Sequence, residues 1–181
     1  MVKSIIRKYR NNNKCLFICF IDLKKAFDSV WRNGLSYKLL KSGFSKNFVS
    51  LVISMYDHVL SCVKVNGKLT KYFKVSTGTE QGCNLSPNLF NIFISDLPKV
   101  LKNIIVWDET HINCLLYADD IALLSNSQSD MQHSLDILTK YCKSWRLSIN
   151  VSKCKIMICG KNRLSAHRSS FKVYDKEMSA I

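Results

Sequence analysis

Short apolar runs bounded by polar residues mark the predicted strands of this chain. Cys15–Ile21 is continuously apolar and rich in aromatic and branched side chains, which predicts a buried strand that ends at a carboxylate, Asp22. Val59–Val65 and Tyr72–Val75 predict two strands joined through Asn66-Gly67, a dipeptide that favours a tight hairpin turn. Three more strands are predicted at Ile112–Leu116, Ile121–Leu124 and Lys155–Cys159.

Apolar residues at helical spacing predict three helices. The first runs from Ser45 to Asp57, with Ser45 as its N-cap. The second opens at Ser86-Pro87, with the serine as cap and the proline in the first helical position, and Pro98 marks its expected end. The third, Ser129–Trp145, has apolar side chains that step by 4, 3, 4 and 3 residues. Strands interleaved with helices and hairpins predict an α+β fold with a mainly antiparallel sheet.

Charge and length narrow the class of protein. The 181 residues include 27 Lys and Arg against 13 Asp and Glu, a formal net charge of +14, and 47% of them are hydrophobic. That much core material excludes a disordered basic tail, and a folded domain so positive is expected to meet a polyanion, nucleic acid first and an anionic membrane second. No apolar run approaches the roughly 20 residues of a membrane span. With no signal peptide evident, we expect an intracellular protein, in the cytoplasm or nucleus, without membrane contact.

The sequence shows no internal repeat or composition break that would mark a second domain. We expect a basic N-terminal arm at residues 1–14, a folded region at 15–160 and a basic, weakly patterned tail at 161–181. The stretch from Lys143 to Tyr174 holds eight Lys or Arg and no acid. Phosphate contacts there would make binding steeply salt-dependent. Phe171 and Tyr174 are either core residues or platforms on which bases stack.

The cysteines indicate the redox state expected of the chain. None of the eight forms the CxxC pair of a zinc site, and several lie inside apolar runs, where a free cysteine behaves as a small hydrophobic residue. We therefore expect reduced, buried thiols rather than a metal cluster.

Three of the few carboxylates stand at the ends of apolar strands, Asp22 after the first and Asp119 and Asp120 between two later ones. Carboxylates about 4 Å apart repel each other by about 4 kcal/mol at an effective dielectric constant of about 20, and a divalent cation removes that penalty. Oxygen ligands favour Mg²⁺. Because consecutive strand residues face opposite ways, Asp119 and Asp120 share a metal only if the hairpin turns there, which makes Asp22 and Asp119 the better candidate ligands. A polar β-turn and a strand-end aspartate are the alternative on these residues alone.

Four ordered stretches resemble the motifs of one enzyme family. The A, B and C motifs of reverse transcriptases are similar to Asp22-Leu-Lys-Lys-Ala-Phe-Asp-Ser-Val-Trp31, Gln81-Gly-Cys-Asn-Leu-Ser-Pro87 and Tyr117-Ala-Asp-Asp120. Their D motif is similar to Trp145-Arg-Leu-Ser-Ile-Asn150 with Lys153-Cys-Lys155. The first two stretches look like those of non-LTR (LINE-type, jockey-like) retrotransposon enzymes, and the resemblance extends from Cys15 to Gly160.

The resemblance implies the palm of an RNA-directed DNA polymerase, with a small antiparallel, ferredoxin-like sheet backed by helices. It implies an RNA template, a DNA primer, deoxynucleoside triphosphates and two Mg²⁺ ions, with Mn²⁺ as an alternative ion. By position it makes Asp22, Asp119 and Asp120 the catalytic, metal-binding aspartates and gives the carbonyl of Leu23 a place in the metal shell.

Further contacts with the nucleotide are implied by the same resemblance. Phe27 matches the aromatic residue that stacks under the incoming sugar and excludes a 2′-hydroxyl. Gln81 and Gly82 match the pair that contacts nucleotide and template, where glycine permits close backbone approach and the amide can hydrogen-bond. Lys153 matches the lysine that protonates or steadies the leaving pyrophosphate. Core packing for Phe27 and a generic basic surface for Lys153 are the structural alternatives.

The chain departs from the family pattern in ways that bear on activity. It begins just before the first motif aspartate and stops before the primer-grip hairpin and the thumb, so we expect a fragment. Glu80 stands before Gln81 where many relatives have arginine, and a carboxylate there disfavours a triphosphate. One alternative is a catalytically inactive, nucleic-acid-binding relic of a retrotransposon open reading frame. Another is an RNA-templated RNA polymerase, which Phe27 disfavours because it should exclude ribonucleotides.

Overall fold

The structure, a computed structural model, describes residues 1–80, 82–160 and 170–179. Their contacts divide the chain into two units, Met1–Lys24 with Asp96–Ile181, and Lys25–Ser95, which is inserted between them in sequence. In chain order the elements are α1 (Val2–Asn11), β1 (Leu16–Ile21), α2 (Arg32–Lys41), α3 (Lys46–Ser54), β2 (Leu60–Ser61), β3 (Lys64–Val65), β4 (Lys68–Leu69), β5 (Phe73–Lys74), α4 (Ser86–Ile94), α5 (Leu97–Val100), β6 (Ile105–Trp107), β7 (Thr110–Ile112), β8 (Cys114–Tyr117), β9 (Asp120–Ser125), α6 (Gln128–Ser144), β10 (Lys155–Cys159), β11 (Ser170–Val173) and β12 (Lys176–Ser179).

A four-stranded antiparallel sheet forms the centre of the first unit, in the order β10-β1-β9-β8. Ile18 of β1 lies opposite Met157 on one side and Leu124 on the other. Because β1 is flanked by two strands and almost all of its residues are buried, its sequence is continuously apolar rather than alternating. The prediction of a buried strand before Asp22 is confirmed, and the mixture of helices with an antiparallel sheet confirms the α+β class.

Helix α6 packs on this sheet much as its spacing predicts. Met131, Leu135 and Leu138 are fully buried along one face. The helix begins one residue earlier than predicted because Ser127 is its N-cap: the Ser127 hydroxyl oxygen accepts from the Asp130 amide at 3.1 Å and donates to the Asp130 carboxylate at 2.7 Å.

Two elements of the first unit lie where the sequence predicts none. Helix α1 occupies most of the N-terminal arm and buries Ile5 and Tyr9 in a cluster with strand residues of β1 and β9. The β11–β12 hairpin lies in the region predicted to be a weakly patterned tail, and Phe171 is fully buried with its ring centroid 6.2 Å from that of Phe17. Phe171 is therefore a core residue and not a stacking platform.

The second unit confirms one predicted helix cap and corrects another. Ser45 caps α3, and its hydroxyl accepts from the Phe48 amide at 3.3 Å. Ser86 is instead the first residue of α4, and its hydroxyl donates to the Glu80 carbonyl at 2.6 Å. Helix α4 ends at Ile94, before Pro98 of the separate helix α5, so the predicted end is wrong. The Ser95 hydroxyl donates to a carbonyl one turn back and competes with helix continuation.

Residues 59–75 form one antiparallel hairpin with a bulge. Its tip is Asn66-Gly67, with φ values of 49° and 80°, both positive as a two-residue type I′ turn requires. Strands β3 and β4 pair next to the tip, and β2 and β5 pair further down. Between these ladders Cys62 faces both Lys71 and Tyr72, so the returning strand carries one extra residue. The predicted hairpin is confirmed, although its strands are interrupted.

All eight cysteines are free thiols. Burial raises the pKa of Cys114 to about 11 and that of Cys142 to about 12. These two side chains therefore stay protonated near neutral pH and pack as small hydrophobic groups.

Candidate active site

The predicted site residues fall in both units. Asp22, Leu23, Asp119, Asp120 and Lys153 belong to the first, while Phe27 and Gly82 belong to the second. Gln81 lies outside the described residues.

Main-chain hydrogen bonds hold the residues that follow β1. Asp22 and Lys24 each form a main-chain hydrogen bond of 2.8 Å with segment 148–150. Leu23 lies between these two bonds, opposite Ile149. Because the bonds use the flanking residues, the Leu23 carbonyl takes no part in the bridge. That carbonyl is the one that the sequence assigns to a metal shell.

Strands β8 and β9 are joined by a two-residue turn, Ala118-Asp119, between the paired residues Tyr117 and Asp120. The hairpin therefore turns at Asp119, which is the condition stated above for Asp119 and Asp120 to share a metal. Ala118 has φ of 50°, a left-handed conformation that costs an L-residue about 1–2 kcal/mol. Asp119 is half-buried in this turn and Asp120 is exposed.

The register of the sheet brings the acidic residues to one edge. Ile21 of β1 lies opposite Ile121 of β9. Asp22 follows Ile21 and Asp120 precedes Ile121, so the two carboxylates stand at the same end of the paired strands. Asp119 occupies the adjoining turn, so three carboxylates lie at the same end of neighbouring strands.

The donor set at this edge fits a hard divalent cation. It consists of carboxylate oxygens and a main-chain carbonyl, and Mg²⁺ is usually bound by one or two carboxylates together with water and substrate phosphates. In residues 1–80, 82–160 and 170–179 no group of three or more His, Cys, Asp or Glu side chains is arranged to hold a metal ion.

Lys153 is exposed in a turn that is fixed to the end of β1. Its amide donates to the Asn150 carbonyl at 3.0 Å. The next residue, Cys154, accepts from the Asp22 amide at 3.4 Å and donates to the Asn150 carbonyl at 3.3 Å through the same sulfur. Burial raises the pKa of the Cys154 thiol, so it keeps the proton that it donates. The turn that carries Lys153 is thus joined to Asp22 through Cys154.

Phe27 lies beside a pocket in the second unit. Its ring centroid is 5.1 Å from that of Phe90, at an interplanar angle of 45°, and the side chain stays half-buried. One part of the ring therefore packs on a helix while another part remains accessible. The pocket has a volume of about 450 Å³ and is lined by Phe27, Glu80, Gly82, Cys83, Asn84, Ser86 and Pro87.

Gly82 contributes an unusual backbone conformation to this pocket, and Glu80 contributes a negative charge. Gly82 has φ of 88°, and a Cβ atom there would meet no other atom within 4 Å, so backbone conformation rather than crowding calls for glycine. The Glu80 side chain is exposed and adds a carboxylate to the lining. An anionic ligand would therefore meet a negative charge at this wall.

Arg32 organises the loop next to Phe27, and it is not among the site residues that the sequence predicts. Its guanidinium donates to the carbonyls of Tyr56 and Val75 at 2.8 Å, Gly78 at 3.0 Å and Thr77 at 3.2 Å. It also lies 5.1 Å above the centroid of the Tyr56 ring. Because all four acceptors are main-chain atoms distant in sequence, no pattern of side chains could have revealed them.

The loop held by Arg32 lies directly against the backbone near Phe27. The Thr79 amide donates to the Phe27 carbonyl and the Gly78 amide donates to the Val30 carbonyl, both at 2.9 Å. A Cβ atom at Gly78 would lie 2.7 Å from the carbonyl oxygen of Asp28. This close approach positions Phe27 at the mouth of its pocket.

The chain belongs to the reverse transcriptase (RNA-dependent DNA polymerase) family, whose model matches residues 2–175. It is 34% identical over 143 residues to the RNA-directed DNA polymerase from mobile element jockey of Drosophila funebris, an alignment that covers 75% of this chain and 15% of that protein. It is 30% identical over 159 residues to the probable RNA-directed DNA polymerase from transposon BS of Drosophila melanogaster, covering 84% of this chain and 17% of that protein. The chain thus spans only a small part of these relatives.

Solved structures of telomerase have the same fold. Apo telomerase from Candida tropicalis, truncated from its C-terminal domain, matches with a TM-score of 0.63 at 17% identity over 99% of this chain and 38% of that chain. Telomerase from Candida albicans, in complex with a fragment of telomeric RNA, matches with a TM-score of 0.62 at 19% identity over 99% of this chain and 32% of that chain. Within the described part of this chain, no helix is long and apolar enough to cross a membrane.

Proposed function

We propose that this chain is the palm portion of an RNA-directed DNA polymerase of a non-LTR retrotransposon, which adds deoxynucleotides to a primer 3′-hydroxyl on an RNA template. The observation that carries the proposal is that Asp22, Asp119 and Asp120 stand at the same end of the neighbouring strands β1 and β9, in a chain of the reverse transcriptase family. The similarity to RNA-directed DNA polymerases of the mobile elements jockey and BS supports both the polymerase reaction and the origin in a retrotransposon.

Each part of the site has a role in this reaction. Asp22, Asp119, Asp120 and the Leu23 carbonyl would hold two Mg²⁺ ions, which supply charge stabilisation to the attacking and leaving oxygens when they are bound. Phe27 restricts the space beside the sugar of the incoming nucleotide, and Gln81 and Gly82 contact the nucleotide and the template. Lys153, as an exposed ammonium group, balances the charge of the leaving pyrophosphate and can return a proton to it.

We further propose that the palm extends over residues 15–160, with a basic arm before it and a basic segment after it, and has a ferredoxin-like sheet. The strand order supports this topology. In chain order the four strands are β1, β8, β9 and β10, and in the sheet the last of them flanks the first, followed by the third and the second. Helix α6 connects the third strand to the fourth, as the β-α-β-β-α-β arrangement requires.

Primer extension by the 181-residue chain tests the proposal. An RNA template with an annealed DNA primer and all four deoxynucleoside triphosphates should give extension that depends on Mg²⁺ and that is abolished by Asp119→Asn. Asp108→Asn is the matched control, since Asp108 is an exposed aspartate in the turn of another hairpin of the same unit, and it should extend normally. Ribonucleotides should be incorporated poorly because of Phe27.

A catalytically inactive, nucleic-acid-binding relic is the second candidate function. One observation favours it: Glu80 places a carboxylate in the lining of the pocket beside Phe27. Salt-sensitive binding of primer and template without extension, under conditions that support a complete reverse transcriptase, would establish the relic and refute the polymerase.

A further inference from the structure

The bulged hairpin of residues 59–75 exposes an unusual amount of apolar surface. Leu60 and Leu69 are each 60% exposed, and Val65 is 56% exposed. The aromatic rings of Tyr72 and Phe73 are 66% and 50% exposed. Both residues of β3 and both of β4 are exposed, so the outer half of the hairpin leaves most of its side-chain surface to solvent. A two-stranded hairpin of this kind is at best marginally stable alone, so its surface is suited to a partner.

The positive charge of the hairpin favours a negatively charged partner. Residues 58–79 contain four lysines and no acid, a run of one sign that a polyanion complements. Within the ladders Lys64 lies opposite Leu69, Lys68 opposite Val65 and Lys74 opposite Leu60. Cross-strand neighbours share a face of the hairpin. Because successive pairs of a ladder alternate between the two faces, Lys64 with Leu69 and Lys74 with Leu60 lie on one face, and Lys68 with Val65 lies on the other.

The bulge adds an aromatic ring to this basic surface. Lys71 and Tyr72 are the two residues that face Cys62, and a bulge commonly turns a side chain out of the regular alternation. The Val63 amide donates to the Thr70 hydroxyl, and the Thr70 amide donates to the Val63 carbonyl, both at 2.9 Å, which fixes the ladder just beyond the bulge. Tyr72 is thus an exposed ring on an ordered backbone, flanked by lysines.

We propose that the bulged hairpin binds single-stranded nucleic acid on the face that carries Lys64 and Lys74, with these lysines and Lys71 on phosphates and Tyr72 stacked against a base. Basic surfaces with exposed aromatic rings bind single strands in this way and tolerate any base sequence. The proposal goes beyond the polymerase site because none of these residues lies in the four motifs. It rests on the proposed function only in assuming that a nucleic acid is the natural partner.

Fluorescence anisotropy with labelled oligo-uridine and oligo-deoxyuridine tests this contact on the full chain. The quadruple variant Lys64→Gln, Lys68→Gln, Lys71→Gln and Lys74→Gln should reduce the slope of log K against log salt by about 2 to 3, since each phosphate contact with a single strand contributes about 0.7. Tyr72→Leu keeps an apolar side chain but removes the ring, and it should weaken binding by about 5- to 150-fold, the range for one stacked base.

The matched control removes the same number of lysines from positions outside the hairpin. Lys3→Gln, Lys99→Gln, Lys102→Gln and Lys140→Gln remove four exposed lysines of the first unit and should alter the slope much less. Equal slopes for the two quadruple variants would show that only net charge matters and would overturn the hairpin contact. An unchanged affinity for Tyr72→Leu, or no binding by the unsubstituted chain, would overturn it as well.

Other outcomes separate this proposal from the polymerase. Asp119→Asn should abolish extension and leave oligonucleotide binding intact, so loss of one property does not imply loss of the other. Equal affinity for the two oligonucleotides supports recognition of phosphate and base alone, whereas tighter binding of oligo-uridine adds a contact with the ribose. If the lysine variant instead changes only the sedimentation coefficient of the free protein, the hairpin is an interface between copies of the chain and the proposal fails.

Discussion

Arg32 offers the sharpest test of how the second unit is held together. Replacement by leucine removes a guanidinium that donates four hydrogen bonds to main-chain carbonyls, three of them partly buried and one exposed. Hydrogen bonds to a charged group contribute about 1.5–3 kcal/mol each when buried, and the freed carbonyls here recover some water. We therefore expect Arg32→Leu to lower the free energy of opening the 75–79 loop by about 3 kcal/mol.

The Arg32→Lys variant distinguishes the contribution of the positive charge from that of the planar guanidinium. Arg32→Lys keeps the positive charge but loses the planar fork of donors, so it should recover less than half of the lost free energy. If charge alone mattered, lysine would restore the loop fully.

Hydrogen exchange followed by mass spectrometry measures this effect locally. The amides of Gly78 and Thr79 report directly, because they bond to the carbonyls of Val30 and Phe27. A loss of about 3 kcal/mol should speed their exchange by about 100-fold, while amides of α6 in the first unit stay unchanged. Arg10→Leu, which removes an exposed arginine of α1, is the control and should leave both sets unchanged. Unchanged exchange at Gly78 and Thr79 in Arg32→Leu would refute the reasoning.

Two further predictions concern the first unit. Ala118→Gly removes a strained left-handed residue from the turn before Asp119, at some cost in unfolded-state entropy, so urea titration should show about 0.5–1 kcal/mol more stability; a less stable variant would mean that the alanine is not strained. Burial, together with its hydrogen bond to Asp96, raises the pKa of Tyr141 above its ordinary value of 10.0. Because the folded state holds this proton more tightly, its contribution to stability is complete below pH 10 and is lost as the pH rises above it. Tyr141→Phe should therefore flatten the alkaline fall in the free energy of unfolding, and an unaltered fall would assign it to other groups, such as the buried thiols.

Local patterns predicted the elements whose burial is regular. Strand β1, helix α6 and the Asn66-Gly67 turn follow from periodicity or turn chemistry, and the end of β1 also fixes where Asp22 lies. Helix α1 is not predicted from the sequence, because its buried Ile5 and Tyr9 stand among charged residues that are typical of a solvated arm. The β11–β12 hairpin is not predicted either, because only a few of its residues, Phe171 among them, are apolar. The role of Arg32 depends on carbonyls brought close by the fold, and no local pattern carries that information.

The insertion of the second unit between β1 and β8 has a consequence for how the chain folds. Phe17 of β1 pairs with Ser125 and Ile158. More than half of the chain must therefore be synthesised before either neighbouring strand is available to pair with β1. Contacts so distant in sequence slow folding, whereas the segment Lys25–Ser95 can collapse on its own contacts as it leaves the ribosome. Until β9 is synthesised, an apolar strand edge stays unpaired, and it is there that the nascent chain is most open to aggregation or to capture by a chaperone.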